Sequence, residues 1–384
     1  MTWEWLIILL YGLSLLFIFF FSLGQLHLTF HYLKAKKKQK KSVVQTPEMK
    51  SDFPKVCVQL PIFNEKYVVN RLVDAVCKLD YPNELLEIQL LDDSTDETTE
   101  ILEAKTQYWQ SKGKNIQLIR RPERVDFKAG ALKYGMEITD AEFIAIFDAD
   151  FLPQAHFLKA TIPHFQNEKV GVVQTRWGHV NKDYSLLTRL QAFGLDAHFT
   201  VEQVGRNTAG SFINFNGTGG VWRKETIIDA GGWSADTLTE DLDLSYRAQL
   251  KGWTIHYFAD VGAPAELPAE IHGLKSQQYR WMKGGAETAK LLLSPLWQSS
   301  QKLSIKIQGT AHLLTSSIFV AIVLATIFSI PASYAGLQLP KEIPLGLISF
   351  LALIGLSANY FIANLNHAQL KGNIWVRFIK LLLF

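Results

Sequence analysis

Long apolar runs mark both ends of the chain. Residues 5–23 are almost wholly apolar, and this is about the length that a helix needs to cross the core of a bilayer. Two similar stretches follow at 312–330 and 343–365. Another begins at residue 374 but is too short to span, as expected of an incomplete helix or of a short interfacial segment. The pattern predicts transmembrane helices at both ends.

Between these ends, short apolar runs alternate with amphipathic segments. We expect the short runs to be strands and the amphipathic segments to be helices. The predicted strands are 56–60, 88–91, 116–119 and 143–147, and the predicted helices are 70–79, 98–112 and 128–138. Strands and helices that alternate in this way form right-handed βαβ units. The sequence therefore predicts an α/β fold, with a mostly parallel sheet flanked by helices.

These patterns divide the chain into five segments. They are an N-terminal transmembrane helix (1–33), a basic linker (34–52), an α/β domain (53–286), amphipathic interfacial helices (287–308) and C-terminal transmembrane helices (309–384), the last incomplete. The interfacial assignment depends on the leucines 291–293 together with Leu296, Trp297 and Lys302. Together they offer the apolar, aromatic and basic side chains of a helix that lies in the headgroup region.

The distribution of charge also predicts how the chain is oriented in the membrane. The net charge of +3 is too small for a strongly basic nucleic-acid-binding protein. Its positive excess comes from one run directly after the first apolar stretch, formed by Lys34, Lys36, Lys37, Lys38, Lys40 and Lys41. A cleaved signal peptide would instead carry its positive charges before the apolar run. Basic residues favour the cytoplasmic side, so we expect the N-terminus outside and the α/β domain in the cytoplasm.

The chain has two cysteines, Cys57 and Cys77. So few cysteines in 384 residues do not form a disulfide framework, which fits a reducing compartment. One lies in a predicted strand and the other in a predicted helix. We expect them to be buried structural thiols.

Polar side chains follow three of the predicted strands at the point where each strand ends. They are Asn64, Glu65, Asp92, Asp93, Asp148 and Asp150. An aspartate in such a place is often only a helix N-cap, and the segment after the second strand is also expected to cap the helix from residue 98. Ligands of open parallel sheets bind beyond the carboxyl ends of the strands. Three such strand ends at one edge therefore favour a binding site.

Asp148 and Asp150 are spaced to point the same way from a strand end. Such a pair suits Mg²⁺ or Mn²⁺, which keep most of their waters and bridge phosphates. The alternative is a solvated turn. Lys128 opens a predicted helix, and a lysine at a helix N-terminus suits a pyrophosphate.

Three further polar segments lie later in the chain. Asn216, Gly217 and Thr218 belong to a glycine-rich loop that suits a polyhydroxyl ligand, although such a loop can also be a simple turn. Glu240 and Asp241 open an amphipathic helix, where a carboxylate is ordinarily a cap. The third segment, at the end of the α/β domain, contains Gln277, Arg280 and Trp281.

Four motifs in this order resemble the membrane-bound processive glycosyltransferases of family 2, the cellulose-synthase-like proteins. The motifs are Asp92-Asp93, Asp148-x-Asp150, Thr239-Glu240-Asp241 and Gln277-x-x-Arg280-Trp281. The resemblance covers residues 53–290. Longer runs at 59–65, 91–96, 127–132 and 215–218 are most similar to the plant-type glucomannan (β-mannan) and xyloglucan-backbone synthases.

The resemblance implies a GT-A fold and an inverting transfer from a nucleotide sugar. It implies that the donor is held by Asn64, Glu65, Asp92, Asp93, Lys128 and Asp148, and the metal by Asp148 and Asp150. It implies that the catalytic residues are Asp241, as general base, with Glu240 and Asp93. It places the acceptor and the leaving diphosphate against Gln277, Arg280, Trp281, Asn216, Gly217 and Thr218.

The predicted groups are sufficient for this chemistry. Attack on an α-linked nucleotide sugar from the opposite face gives a β-linkage, and needs one base at the acceptor hydroxyl and a cation on the leaving diphosphate. A glycoside hydrolase would need two carboxylates that flank the bond. The number of aspartates does not exclude a hydrolase, but the diphosphate-and-metal edge argues against it.

We therefore expect a membrane enzyme that uses UDP-glucose or GDP-mannose to build a β-linked polysaccharide, β-1,4-linked, on the cytoplasmic face. The alternative is transfer of a single sugar to a lipid such as ceramide or diacylglycerol. A third hypothesis is a silent subunit that assists other synthase subunits, against which the intact carboxylates argue. Processive relatives usually carry more C-terminal membrane helices, so translocation by this chain alone is not expected.

Overall fold

The computed structural model describes residues 3–39, 49, 52–336, 345–365 and 379. The predictions for Lys40 and Lys41, and for the stretch from residue 374 apart from Ile379, lie outside the described residues. The chain divides into two compact units. We call residues 42–192 and 212–284 the sheet unit, and residues 1–41, 193–211 and 285–384 the helical unit.

The sheet unit is built on a seven-stranded sheet in the described part of the chain. Its strands are β1 (Val56–Ile62), β2 (Leu86–Asp92), β3 (Ile116–Ile119), β4 (Phe143–Ile146), β5 (Val170–His179), β6 (Gly220–Arg223) and β7 (Thr254–Ala265). They lie side by side in the order β3-β2-β1-β4-β6-β5-β7. β6 is antiparallel to both of its neighbours, and the other pairs are parallel. The sheet is therefore mostly parallel, as the sequence predicts.

The helices of both units follow in chain order. They are α1 (Trp3–Gln39), α2 (Val69–Cys77), α3 (Thr98–Ser111), α4 (Phe127–Glu137), α5 (Phe157–Thr161), α6 (Leu186–Asp196), α7 (Gln203–Ala209), α8 (Lys224–Asp229), α9 (Glu240–Leu250), α10 (Ile271–Gln298), α11 (Leu303–Leu313), α12 (Ser317–Gly336) and α13 (Leu345–Leu365). Short 3₁₀ helices, Asn83–Leu85 and Ile162–Gln166, and a π-helix, Ala197–Glu202, complete the set.

The core of the sheet unit lies between the strands and the helices that cover them. Val58, Leu60, Ile88 and Leu90 are almost wholly buried and form its centre. β2 is buried along its whole length, and its two polar side chains inside the sheet are satisfied by each other, since Gln89 donates to Glu87 at 2.7 Å. This packing fixes the carboxyl ends of β1, β2 and β4 at one edge of the sheet.

Both cysteines are buried and free, as expected. Burial raises the pKa of Cys77 to about 12 and the pKa of Cys57 well above its ordinary value. Because the thiolate is the reactive form, neither thiol is a nucleophile at neutral pH.

In the helical unit, three of the described helices are long and apolar enough to cross a membrane. They are α1, the segment Ser317–Tyr334 of α12 and the segment Gly346–Leu365 of α13. Ser22 of α1 accepts a hydrogen bond from the N–H of Gly355 at 2.9 Å, and Gln25 accepts one from Asn359 at 2.6 Å. These two hydrogen bonds join polar groups of α1 to α13 within the helical unit.

Two boundaries differ from those predicted. α1 continues past residue 33 to Gln39, so Lys34, Lys36, Lys37 and Lys38 lie on the helix itself. The predicted interfacial region 287–308 belongs to two helices, of which α10 begins as early as Ile271. The change from charged to apolar residues sets a boundary in the pattern, but lysine and glutamine are good helix formers and do not end a helix.

Candidate active site

The loops after β1 and β2 are joined by Asn64. Its backbone has a φ of 57°, in the left-handed region that asparagine tolerates better than most residues. Its N–H donates to Ser94 Oγ at 2.9 Å, and its side-chain oxygen accepts from the N–H of Thr95 at 2.9 Å. The predicted donor-binding residue Asn64 therefore also fixes the relative position of two strand ends.

Asp92 shapes its own loop. It is buried, and its carboxylate accepts from the N–H of Ser94 at 2.9 Å and from the hydroxyl of Thr99 at 2.8 Å. The N–H of Thr98 at the start of α3 donates to Asp96, so Asp96 rather than the Asp92–Asp93 pair caps that helix. A direct role of Asp92 in binding the donor stays a prediction.

Asp93 is held by Arg121, a residue that was not predicted from the sequence. Arg121 donates to both carboxylate oxygens of Asp93, at 2.8 and 2.6 Å, and also to the carbonyl oxygen of Phe127 at 2.7 Å. The guanidinium of Arg124 lies 3.3 Å from the ring centroid of Phe63. Arg121 follows the end of β3, so applying the strand-end rule to this strand would have found it.

Lys128 lies among the acidic residues. It is the second residue of α4, and its Nζ is 2.6 Å from Asp148 Oδ1 and 3.9 Å from Glu240 Oε1. It also donates to the carbonyl oxygen of Gly217 at 3.0 Å. Burial alone would lower the pKa of Lys128, but the carboxylates of Asp148 and Glu240 raise it above its ordinary value. Lys128 is therefore a cation that joins α4 to three other segments.

Asp148 and Asp150 lie in the turn after β4, because the strand ends at Ile146. The sequence predicted that the two side chains point the same way because side chains alternate along a strand. That argument does not apply to residues in a turn. The N–H of Asp148 donates to Thr218 Oγ1 at 2.8 Å. Burial, and then the Asp148 carboxylate, raises the pKa of Asp150 to about 7, and the same two causes raise the pKa of Glu65. The three carboxylates are thus close enough to repel one another.

This donor set fits a hydrated divalent cation. In the described residues no cluster of three or more histidine, cysteine or acidic side chains forms an all-protein metal site. A magnesium or manganese ion that bridges phosphates keeps several waters and needs only one or two carboxylates. Asp148 and Asp150 supply that number, and oxygen atoms are the ligands that such ions prefer.

Glu240 and Asp241 open α9 beside Lys128. Burial, and then the charge of Glu240, raises the pKa of Asp241 to about 7, while Lys128 opposes the shift. Burial also raises the pKa of Glu240. Asp241 accepts a hydrogen bond from the N–H of Leu242 at 2.8 Å. Asp241 is thus a carboxylate whose protonation changes near neutral pH.

The loop 214–219 is part of the same site. Gly217 has a φ of 78°, and a Cβ placed on it would lie 3.2 Å from Asp241 Oδ2 and 3.4 Å from Lys128 Nζ. Gln174, fully buried in β5, donates to the carbonyl oxygen of Thr218 at 3.1 Å and accepts from the N–H of Asn216 at 2.8 Å. Gln174 was not predicted from the sequence, since its role depends on pairing with a distant loop.

The third predicted segment lies on α10. Gln277, Arg280 and Trp281 share one helix face, because residues three and four apart are neighbours on a helix. All three lie on the part of α10 that precedes Gly284. Gly284 approaches Thr239 so closely that a Cβ on it would lie 2.6 Å from Thr239 Cγ2.

The structure thus brings two groups of the predicted residues together. Lys128, Asp148, Gly217, Glu240 and Asp241 meet around one ammonium group. Asn64 and Asp93 belong to the loops after β1 and β2, and Asp92 is the last residue of β2. Arg121 joins Asp93 to the start of α4. An anion held beside Lys128 would therefore lie among carboxylates that can bind a metal ion and accept a proton.

Residues 54–284 match the sequence model of a family described as glycosyltransferase-like family 2. The chain is 43% identical over 282 residues to probable glucomannan 4-beta-mannosyltransferase 4 of Oryza sativa subsp. japonica, an alignment covering 72% of this chain and 51% of the relative. It is 41% identical over 280 residues to glucomannan 4-beta-mannosyltransferase 2 of Arabidopsis thaliana, covering 72% and 52%. The chain spans about half the length of these relatives.

Solved structures show the same fold. A mannosyltransferase from Pyrobaculum calidifontis, in complex with GDP-Man and Mn²⁺, superposes with a TM-score of 0.61 at 18% identity, covering 93% of this chain and 99% of the other. The S. aureus protein TarS, in complex with UDP-GlcNAc, gives a TM-score of 0.50 at 16% identity, covering 81% and 83%. The expected GT-A arrangement, a mostly parallel sheet flanked by helices, is confirmed.

Proposed function

The chain belongs to glycosyltransferase-like family 2, and from that premise we propose that it is an inverting mannosyltransferase that builds a β-1,4-linked polysaccharide. The single observation that carries the proposal is the meeting of Lys128, Asp148 and Asp241 around loop 214–219. It supplies a cation for a diphosphate, a carboxylate for a metal ion and a base for a hydroxyl group. These are the groups that inverting transfer from a nucleotide sugar needs.

Asp241 is the proposed general base. Its raised pKa lets it accept the proton of an acceptor hydroxyl near neutral pH, where general bases are most effective. Glu240 directly precedes the base at the start of α9, and the close approach of Gly284 to Thr239 connects this helix start to α10. Gln277, Arg280 and Trp281 would line the acceptor side, with the indole of Trp281 packing against a sugar face.

The donor is proposed to be GDP-mannose rather than UDP-glucose. This choice depends on the relatives, which are named as glucomannan mannosyltransferases. Asn64, Glu65 and Asp93 would hold the nucleoside side of the donor, with Asp93 oriented by Arg121. Lys128 would hold the diphosphate, together with Asn216, Gly217 and Thr218.

Asp148 and Asp150 are proposed to hold Mg²⁺ or Mn²⁺. When bound, such an ion neutralises charge that builds on the leaving diphosphate. The residues of this chain then have two tasks. Asp148 and Asp150 set the position of the diphosphate, and Thr218 fixes Asp148 through the backbone hydrogen bond to its hydroxyl.

The acceptor is proposed to be a growing glycan on the cytoplasmic face, with the N-terminus of α1 outside. The lysines at the end of α1 support this orientation. The relatives reported above are named for a polysaccharide product, and none of them is named for transfer to a lipid. Transfer of a single sugar to a lipid is therefore not proposed. Other synthase subunits are proposed as partners for translocation.

The assignment of the base is tested with membranes that carry the chain. They are incubated with labelled GDP-mannose and Mn²⁺, and the transferred label is counted. Asp241→Asn is expected to lose about 10²- to 10⁴-fold in rate, the usual contribution of a general base. Asp236→Asn, at an exposed aspartate that pairs with Ser234, should transfer like wild type. Equal transfer by Asp241→Asn and wild type would show that Asp241 is not the base.

A further inference from the structure

The ammonium of Lys128 lies where several oxygen atoms converge. Its Nζ is 2.6 Å from Asp148 Oδ1, 3.0 Å from the carbonyl oxygen of Gly217 and 3.9 Å from Glu240 Oε1. Carboxylate and carbonyl oxygens are the ligands that hard divalent cations prefer. Lys128 therefore occupies, in this structure, a position whose surroundings also suit a metal ion.

The carboxylates around Lys128 need a positive charge even when no donor is bound. Besides Asp148 and Glu240, Asp241 lies close to Lys128, since a Cβ placed on Gly217 would be 3.2 Å from Asp241 Oδ2 and 3.4 Å from Lys128 Nζ. Like charges brought together in a partly buried site repel each other. An ammonium placed among them reduces this repulsion and so stabilises the donor-free enzyme.

A metal ion and this ammonium compete for Asp148. A divalent cation bound to Asp148 would stand next to Lys128, and two cations repel strongly at short range away from bulk water. The lysine has a flexible four-carbon stem, so it can move without a change of backbone. The lack of a side chain on Gly217 leaves room for this movement, because a Cβ on that residue would lie only 3.4 Å from Lys128 Nζ.

We propose that Lys128 is an exchangeable counter-ion. In the donor-free enzyme it takes the place of the divalent cation at Asp148, and it leaves that carboxylate for the diphosphate when metal and nucleotide bind together. This inference rests on the proposed function, since it takes a nucleoside diphosphate as the ligand. It implies that metal alone binds weakly and that metal and nucleotide strengthen each other's binding, by the same factor in both directions.

Mn²⁺ binding to the purified full chain tests this inference. Bound Mn²⁺ is measured from the loss of the electron paramagnetic resonance signal of the free ion, first without nucleotide and then with GDP. Lys128→Gln removes the ammonium. Lys105→Gln is the matched control, because Lys105 forms an ion pair of similar length, 2.7 Å, with Asp74 on α2.

Without nucleotide, Lys128→Gln is expected to bind Mn²⁺ about tenfold more tightly than wild type, a factor within the usual range of such couplings. Lys105→Gln should bind it like wild type. Addition of GDP should strengthen Mn²⁺ binding less in Lys128→Gln than in wild type, because the competing ammonium is already absent.

Unchanged or weaker binding of Mn²⁺ alone by Lys128→Gln would overturn the inference, since Lys128 would then serve only the diphosphate. Lys128→Met also lacks the ammonium and gives the same comparison if the first variant does not fold. The measurement needs no sugar transfer. A chain that shows the expected Mn²⁺ binding but transfers no mannose would therefore refute the proposed function and leave this inference standing.

Discussion

The side chain of Asp241 is governed by three influences: solvent exclusion, the Glu240 carboxylate and the Lys128 ammonium. The first two raise its pKa and the third opposes them, with the result near 7. The protonated form is therefore favoured below this pH, and the form that can accept a proton is favoured above it. A base in this range is poised for use at neutral pH.

The expected pH dependence of the reaction follows from the protonation of Asp241, which is lost as the pH rises. We expect kcat/KM for GDP-mannose, at saturating Mn²⁺, to rise as the pH increases from about 6 to about 8, with an acidic limb near 7. The limb reports deprotonation of the free enzyme. A profile that is flat over this range, or that falls with rising pH, would contradict the assignment of Asp241 as the base.

Gly217 allows the site to be tested by adding volume without changing any charge. Gly217→Ala puts a methyl group beside Asp241 Oδ2 and Lys128 Nζ in a left-handed backbone with φ of 78°. Gly113 has nearly the same φ, 79°, with nothing within 4 Å of its would-be Cβ. Both alanine variants should lose about 1–2 kcal/mol of stability from the backbone strain.

Only Gly217→Ala should also lose activity, by about tenfold or more, because its methyl group crowds the side chains of Asp241 and Lys128. Thermal unfolding measures the strain, and mannosyl transfer measures the site. Equal activity of the two variants would show that loop 214–219 is not part of the proposed site.

A single residue could be predicted from the sequence only where its role depends on residues close to it in the chain. The carboxylates after β2 and β4 could be predicted, because strand ends are visible in the sequence and parallel strands end at one edge. Gln174 could not be predicted. It lies inside β5, and its partners in loop 214–219 are more than forty residues away in the chain.

At the scale of elements, the contact between α10 and the start of α9 is the feature that brings two motifs together. Gly284 of α10 touches Thr239, the residue directly before Glu240 and Asp241. Any side chain at position 284 would push the helix away. The face that carries Gln277, Arg280 and Trp281 is therefore set by a glycine that none of the sequence motifs includes.

Gly284→Ala is expected to lower mannosyl transfer about tenfold or more by displacing α10 from Thr239. Gly285→Ala is the matched control, since its Cβ would meet Ser316 Oγ at an ordinary 3.7 Å. The control should gain up to about 1 kcal/mol of helix stability and keep its activity. A variant Gly284→Ala as active as Gly285→Ala would show that this contact does not position the acceptor residues.

Elements were predictable where their pattern is local and regular. The predicted helix 128–138 and the observed α4 differ by one residue at each end. The mixed half of the sheet was not predicted in detail, because β6 has only four residues and pairs antiparallel with β4 and β5. The pairing partners of such a short strand are set by tertiary structure rather than by its own sequence.

At the scale of the whole molecule, the proposed topology places the donor site in the cytoplasm, and this placement can be tested by labelling. Both native cysteines are fully buried, so an added surface cysteine is the reactive one. Trp3→Cys, at a position 62% exposed, should react with a membrane-impermeant maleimide added to intact cells. Tyr184→Cys, at a position 75% exposed in the sheet unit, should react only after the membrane is opened.

The reverse labelling pattern, with Tyr184→Cys reactive in intact cells, would place the sheet unit outside. The lysines at the end of α1 would then not act as a topological signal. The orientation was predicted from composition alone and stays a prediction. The packing of α1 against α13 could not be predicted from composition, since it depends on contacts such as that between Ser22 and Gly355.

The formation of β-1,4-mannosyl linkages from an α-linked nucleotide sugar is the central property proposed for this chain. The most direct test is linkage analysis of the product made by the purified chain from labelled GDP-mannose with Mn²⁺, combined with digestion by an endo-β-1,4-mannanase. We expect 4-linked β-mannosyl chains that the mannanase releases as short oligosaccharides. An α-linked product, or a single mannose attached to a lipid, would contradict the proposal.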